Sequence, residues 1–258
     1  MQKVLLKLKT NQFLFQQLVH RDFTKKYKRT VLGVAWSVLS PLLTLLVMNL
    51  IFGTLLGSDI EHYTIYLFSG QLVFSFFNES TNEGMTSLLN NAEIFTKVNV
   101  PKYMFLFSKN VSSLINFGIT LCIYFLFVLI NGIPITWKFL LLLYPIACLV
   151  VFNVGVGLIL STMYVFVRDI MHIWEVFCTL LVYGSAIFYD PRQMESWMQY
   201  VINLNPIYWY ITSVRSCVMW GEGLTANMLL IPFLCAALSL GLGIFVFKKY
   251  QDKFVLYM

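Results

Sequence analysis

The run WSVLSPLLTLLVMNLIFGTLL, from Trp36 to Leu56, contains no charged residue. A helix crosses the roughly 30 Å of bilayer hydrocarbon in about 20 mostly apolar residues, and only a helix closes its own backbone hydrogen bonds there. The run is that long, so lipid is the solvent against which the rest of the chain is read. Working outward, five more apolar stretches follow, over residues 63–84, 111–130, 139–166, 173–189 and 228–247. The stretch 63–84 is the least apolar, closing on Asn78, Glu79, Ser80, Asn82 and Glu83. The stretch 139–166 carries Pro145, which predicts a long, tilted or kinked helix. The expected fold is an all-α polytopic membrane protein with six transmembrane helices.

Composition points the same way. Of 258 residues, 59% are hydrophobic and 12% charged, where a soluble domain has about 45–50% and 25%. An even number of spans puts both termini on one side, and fifteen of the 18 Lys and Arg then fall on that side. Eight precede the first span, Lys97, Lys102 and Lys109 occupy one loop, Arg168 another, and Lys248, Lys249 and Lys253 follow the last span. Lys138, Arg192 and Arg215 make up the other side. Because cytoplasmic loops carry the excess of Lys and Arg, both termini are expected in the cytoplasm. The net charge of +6 therefore reads as topology and contact with anionic membrane lipids, not as nucleic-acid binding. Cys122, Cys148, Cys178, Cys217 and Cys235 are scattered singly, a pattern of packing residues and not of a disulfide framework. No cleavable signal peptide is expected, since the first long apolar run begins only after Thr30.

The whole chain, 1–258, reads as one transmembrane domain with three further segments. Residues 1–33 mix Leu6, Phe13, Leu14, Leu18 and Val19 with Lys and Gln, too polar to cross and suited to an amphipathic helix at the cytoplasmic interface. In the cytoplasmic loop 85–110, Glu93, Lys97 and Lys102 surround Ile94, Phe95, Val98 and Val100, the pattern of a short amphipathic helix ended by Pro101. The external segment 190–227 is too long for a plain connection. Its Trp197, Tyr200, Tyr208, Trp209 and Tyr210, broken by Asn205-Pro206, predict two helices dipping back toward the membrane, because Tyr and Trp favour headgroup depth.

A search for chemistry returns absences. The sequence has no phosphate-binding G-x-x-x-x-G-K-[ST] loop, no H-E-x-x-H or paired Cys/His spacing, and no G-x-S-x-G elbow. No catalytic, cofactor-binding or metal-binding residue is therefore assigned. Charges within the spans are scarce; Glu175, near the start of the fifth, is the main exception, expected to find Arg168 or a backbone partner. Such scarcity argues against a proton-coupled transporter. Gly53-x-x-x-Gly57, closing the first span, offers either a close helix approach or a simple helix stop.

Arg21-Asp22, Lys26-Tyr27, Leu32-Gly33, Trp36 and Pro41 form an ordered motif, R-D-x-x-x-K-Y-x-x-x-x-L-G-x-x-W-x-x-x-x-P. With Lys97, Val100-Pro101-Lys102, Arg168-Asp169 and Asn205-Pro206 downstream, it resembles the membrane subunit of ATP-binding-cassette type-2 exporters of bacterial polysaccharides, which carry O-antigen, capsule or wall teichoic acid. The resemblance runs through nearly the whole chain; one departure is Ser185-Ala186-Ile187, where members often have Ser-Pro-Ile.

The resemblance implies a permease of the bacterial cytoplasmic membrane that moves a lipid-linked glycan. Two copies would form the conduit and recruit two copies of a separate ATPase, which holds ATP and Mg; this chain would need no cofactor. On that basis Glu93, Phe95, Lys97 and Pro101 are expected on a coupling helix against the ATPase, with Arg21 and Asp22 as further contacts. Aromatic rings pack on the C–H faces of sugars, so Trp36, Phe52, Tyr66, Tyr183, Phe188 and Tyr189 are the conduit candidates. Trp197, Asn205, Pro206, Tyr208 and Trp209 are expected to form an external gate. Two other classes stay open: a membrane-embedded glycosyltransferase or ligase acting on lipid-linked sugars, and a type-2 cassette permease for drugs or simple lipids.

Overall fold

A computed structural model describes residues 12–28, 30–56, 60–97 and 100–257, all helix and connecting turns. The helices are α1 (Gln12–Tyr27), α2 (Trp36–Leu56), α3 (Tyr63–Thr86), α4 (Ala92–Lys97), α5 (Tyr103–Ile130), α6 (Leu143–Phe166), α7 (Ile170–Gly184), α8 (Ser196–Asn203), α9 (Pro206–Val218) and α10 (Ala226–Tyr250). Four helical stretches, containing α2, α5, α6 and α10, are long and apolar enough to cross a membrane by length and composition. Helix α3 has the length, but its polar residues keep it out of that class, and α7 is a 15-residue apolar helix.

The arrangement is inside-out relative to a soluble bundle. The least apolar long helix, α3, is the most enclosed, with 16 of its 24 residues buried. It packs on α5 and α6 and also touches α2, α7 and α9. Helix α2, in contrast, presents Leu43, Leu46, Val47, Leu50 and Ile51 outward, as a surface solvated by hydrocarbon permits. Polar side chains on α3 find partners inside, where lipid would leave them unpaired.

Small residues set the tightest contacts. Helices α6 and α10 meet through Gly155, Ser239 and Gly243; a methyl at Gly155 would stand 2.6 Å from the Ser239 carbonyl oxygen, and one at Gly243 2.5 Å from that of Gly155. Helix α3 crosses α6 where a methyl on Gly84 would stand 3.3 Å from the Gly157 Cα. Close backbone approach through small residues is how helices associate where no hydrophobic effect drives them together. Gly53, half of the sequence's GxxxG, has Tyr63 as its nearest group from another helix, at 4.0 Å, and Gly57 lies outside the described residues.

Several boundaries differ from the sequence reading. Helix α5 begins at Tyr103 instead of 111, because the polar residues that looked like loop are paired: Ser80 donates to Asn110 at 2.5 Å and Lys109 to Glu83 at 2.6 Å. In the amphipathic segment before it, α4 is described over Ala92–Lys97, and Val98 and Asn99 lie outside the described residues. A 3-10 helix over Trp137–Leu142 leads into α6, placing Pro145 in the first α turn where its missing N–H costs least. Helix α7 stops at Gly184, and Ser185 to Tyr189 are irregular.

Candidate coupling surface and transport path

The opening motif folds into a network. Leu14 and Leu18, one turn apart on α1, rest against Met104 and Phe105 at the start of α5. That contact brings Asp22, almost fully buried, onto the Ser108 hydroxyl, which donates to its carboxylate at 3.0 Å. Arg21 donates to the same carboxylate at 2.7 Å and to Asn91 Oδ1 at 2.7 Å, immediately before α4. Lys109, 3.8 Å from Asp22, pairs with Glu83 of α3. Lys26 pairs with Glu79 at 2.9 Å, and Asn116 donates to the other oxygen of that carboxylate at 2.8 Å. Arg21 and Asp22, expected as partner contacts, thus join α1, the α4 segment, α5 and α3 to one another. Replacing Asp22 by Ala should cost about 1–3 kcal/mol, the penalty for stranding buried partners. Proteolytic nicking within α1 should accelerate accordingly; an unchanged cleavage rate would show that the carboxylate is dispensable to α1 docking.

Glu93 is exposed on α4, and Pro101 is half-buried. The side chains of Phe95 and Lys97 lie outside the described residues, although their backbone is helical. Lys102 turns back to the C-terminal segment: its ammonium donates to the Gln251 carbonyl and sits 5.5 Å over the Phe254 ring. Burial pushes this ammonium below its ordinary pKa, with Asp252 pulling the other way. Phe254 is fully buried, and Arg168 donates to the Tyr257 carbonyl at 3.3 Å. The C-terminal segment therefore straps the α4–α5 junction to the end of α6, a role the sequence did not signal. Glu175 lies 3.7 Å from His172, one turn before it, and not beside Arg168.

The conduit candidates fall into two groups. Near the C-terminal end of α2, Phe52 stacks on Phe188 with centroids 4.5 Å apart, and the Tyr183 ring lies 6.1 Å from Phe188. Tyr66, nearly buried, donates to the Tyr189 carbonyl at 2.6 Å. Trp36 stands apart. Sixteen positions from Phe52 on a helix rising 1.5 Å per residue, it is roughly 24 Å away, beside a cavity of about 530 Å³ between α2, α3 and α5. That cavity continues a polar stripe on α3, where Gln71, Ser75, Asn78, Asn82 and Glu83 recur at helical spacing and stay half-exposed. A second cavity, between α3 and α7, meets the stripe at Asn78 and Asn82.

In the segment 190–227, helices α8 and α9 meet at Leu204 and Asn205. Asn205 caps α9, accepting from the Ile207 N–H at 2.9 Å, and Pro206 takes the first helical position, where its lack of an N–H is harmless. The Asn205 amide also donates to the Gly184 carbonyl at 3.0 Å and the Ser185 hydroxyl at 2.8 Å, tying this break to the end of α7. Trp197 is 60% exposed, whereas Tyr208 and Trp209 are half-buried with rings 5.6 Å apart.

The residue that sequence reasoning missed here is Arg215, assigned above to an external loop. It is 1% exposed in α9. Its guanidinium donates to the Ser69 hydroxyl and Tyr66 carbonyl of α3 and to the carbonyls of Ala186 and Ile187, at 2.8–3.1 Å, and lies 3.4 Å over the Tyr66 ring. Gly70 makes the room, since a methyl there would stand 3.0 Å from the guanidinium. Ala186 has φ 52°, which a proline ring cannot adopt. The backbone here is therefore not the one a Ser-Pro-Ile sequence would give, and the two Arg215 bonds hold it. Arg215 interrupts the otherwise charge-free run from Ile207 to Val218, a signal that could have marked it.

Among the described residues, no group of three or more His, Cys, Asp or Glu could hold a metal ion. The sequence profile described as ABC-2 type transporter matches residues 13–219. Two O-antigen export system permease proteins RfbA from Klebsiella pneumoniae are 27% and 26% identical to this chain, each match covering 96% of it and 98% of the relative. The O-antigen export system permease protein RfbA of Myxococcus xanthus is 28% identical over 79% of both chains.

Proposed function

The chain belongs to the ABC-2 type transporter family, and from that premise we propose that it is the membrane permease of an ATP-driven exporter carrying a lipid-linked polysaccharide across the cytoplasmic membrane. The observation that carries this reading is its match, over 96% of its length, to permeases named for O-antigen export. An O-antigen is the substrate class those relatives favour; a teichoic-acid-like polymer has the same hydroxyl-rich chemistry. The half-exposed polar stripe on α3, flanked by cavities with aromatic lining, supports passage of such a chain.

In this reading the four long apolar helices are joined by α3 and α7 to make six spans, with both termini in the cytoplasm. Two copies enclose the conduit. The outward apolar faces of α2 and α7, including Leu46, Leu50, Val176 and Leu180, support a seam between them. Helix α4 docks on a separate ATPase subunit through Phe95, with Glu93 and Lys97 at the rim and Pro101 ending the segment. Arg21 and Asp22 serve that coupling by fixing the base of α4. At the outer mouth Trp197, Tyr208 and Trp209, set around Asn205-Pro206, close the path when no polymer is present, and Phe52, Tyr66, Tyr183, Phe188 and Tyr189 line it just inside.

Deleting the chain should leave polymer inside the cell, detected by surface staining against total glycan, and restoring it should return polymer to the surface. Unchanged surface polymer in the deletion would end the export reading. Phe95→Asp should weaken ATPase copurification about tenfold or more, as loss of an apolar anchor worth ~2 kcal/mol does. Parental copurification would remove Phe95 from the docking surface.

A further inference from the structure

The cavity between α2, α3 and α5 lies within one copy of the chain and has a lining unlike the surrounding hydrocarbon-facing surface. Trp36 and the paired rings of Phe76 and Phe117, whose centroids are 4.7 Å apart, supply flat apolar faces. Ser40, Gln71 and Ser75 place hydrogen-bonding groups between them. Gln71 donates to Ser75 at 2.9 Å, and the Ser40 hydroxyl makes no hydrogen bond among the described residues. Gln71 and Ser75 stand well inside the 24-residue α3, where acyl chains would leave them unsatisfied. Among the described residues, the charges in the lining are Lys26 and Glu79, which form an ion pair 2.9 Å long. The described lining is thus electrically balanced, and at about 530 Å³ the cavity has the size of a small-molecule site.

We propose that this cavity is a sugar-holding subsite that takes a short, neutral, hydroxyl-rich segment of the glycan, with the lipid phosphate remaining outside. Flat rings flanked by hydroxyl and amide groups match the two faces of a sugar, C–H surfaces above and below and hydroxyls around the edge. A phosphate would need an uncompensated cation, and here the lysine is already paired with Glu79, which Asn116 also holds. Each copy of the chain therefore has its own sugar site beside the path. This assignment rests on the polysaccharide-export reading and adds the chemistry and place of a binding site to it.

The test uses the complete exporter in inverted membrane vesicles, with the native cysteines replaced and Gln71→Cys introduced. The probe is a hydrophilic maleimide. Vesicles from polymer-making cells should label position 71 several-fold more slowly than vesicles from cells lacking the first glycosyltransferase of the polymer. Lys253→Cys, in the exposed C-terminal segment, should label equally in both. Equal rates at position 71 while polymer still reaches the surface would overturn the subsite, including the case in which a lipid headgroup protects it in both strains. Ser75→Leu, which fills the cavity with hydrocarbon, should sharply lower surface polymer while the ATPase still copurifies; parental export by that variant would also overturn it. Normal surface polymer in cells lacking this chain altogether would instead defeat the export reading, whatever the labelling shows.

Discussion

Replacing Arg215 by leucine is expected to lower the melting temperature of the purified protein by roughly 6–12 °C, corresponding to ~3 kcal/mol in a chain of this size. Four acceptors depend on one guanidinium: the Ser69 hydroxyl and the carbonyls of Tyr66, Ala186 and Ile187. The last two belong to the irregular segment between α7 and α8 and have no helical ladder to fall back on. Leaving a buried acceptor unpaired costs about 1–3 kcal/mol. Ala186, whose left-handed backbone costs about 1–2 kcal/mol, is held by the bond that disappears, so its relaxation offsets part of the loss while the segment gives up its conformation. Arg215→Lys separates charge from geometry. It keeps the cation and replaces a planar fork by a single point donor that cannot reach four acceptors spread over two segments. Recovery of less than half the lost stability by lysine is expected. A leucine variant melting with the parent would show that the segment 185–189 is held by packing alone, and full rescue by lysine would show that charge outweighs the fork.

The same residue marks where sequence reading reached its limit. Helix α2 matched its expected bounds, Trp36–Leu56, because a charge-free run of span length allows one structure in lipid. Helix α5 began eight residues early because Lys109 and Asn110 are polar, and polarity in a sequence does not reveal a partner 26 or 30 positions away. Arg215 was counted with the loop charges for the same reason: charge counting treats every Arg as solvated, while the acceptors that bury this one lie 28 to 149 positions distant. The Arg21-Asp22 pair was legible as a motif, but its partners within the chain were not, since Ser108 and Asn91 carry no pattern of their own. Of the aromatic candidates, Phe52, Tyr66, Tyr183, Phe188 and Tyr189 come together, and Trp36, chosen with them, lies beside a cavity at the other end of α2. Periodicity and charge place elements, and pairing between distant elements decides what a polar side chain does.

The α6–α10 contact allows two glycine substitutions to be predicted with opposite signs. In a helix Ala is favoured over Gly by about 1 kcal/mol, through backbone entropy in the unfolded state. At Gly241, on α10, no atom lies within 4 Å of an added methyl, so Gly241→Ala should raise stability by up to ~1 kcal/mol. At Gly155 the methyl would stand 2.6 Å from the Ser239 carbonyl oxygen, which is backbone and cannot rotate aside. The helices must then separate, and Gly243, itself packed on the Gly155 carbonyl, moves with them. Overpacking costs about 1–3 kcal/mol even where side chains give way, and here no side chain can. Gly155→Ala should therefore lose ~2 kcal/mol or more after the propensity gain is counted, and Gly155→Leu should fail to accumulate as a folded protein. Thermal melts of the alanine pair in one detergent decide between sterics and propensity, because both changes add the same methyl to the same kind of backbone. If Gly155→Ala melts at or above Gly241→Ala, the close approach of α6 and α10 does not hold this bundle together.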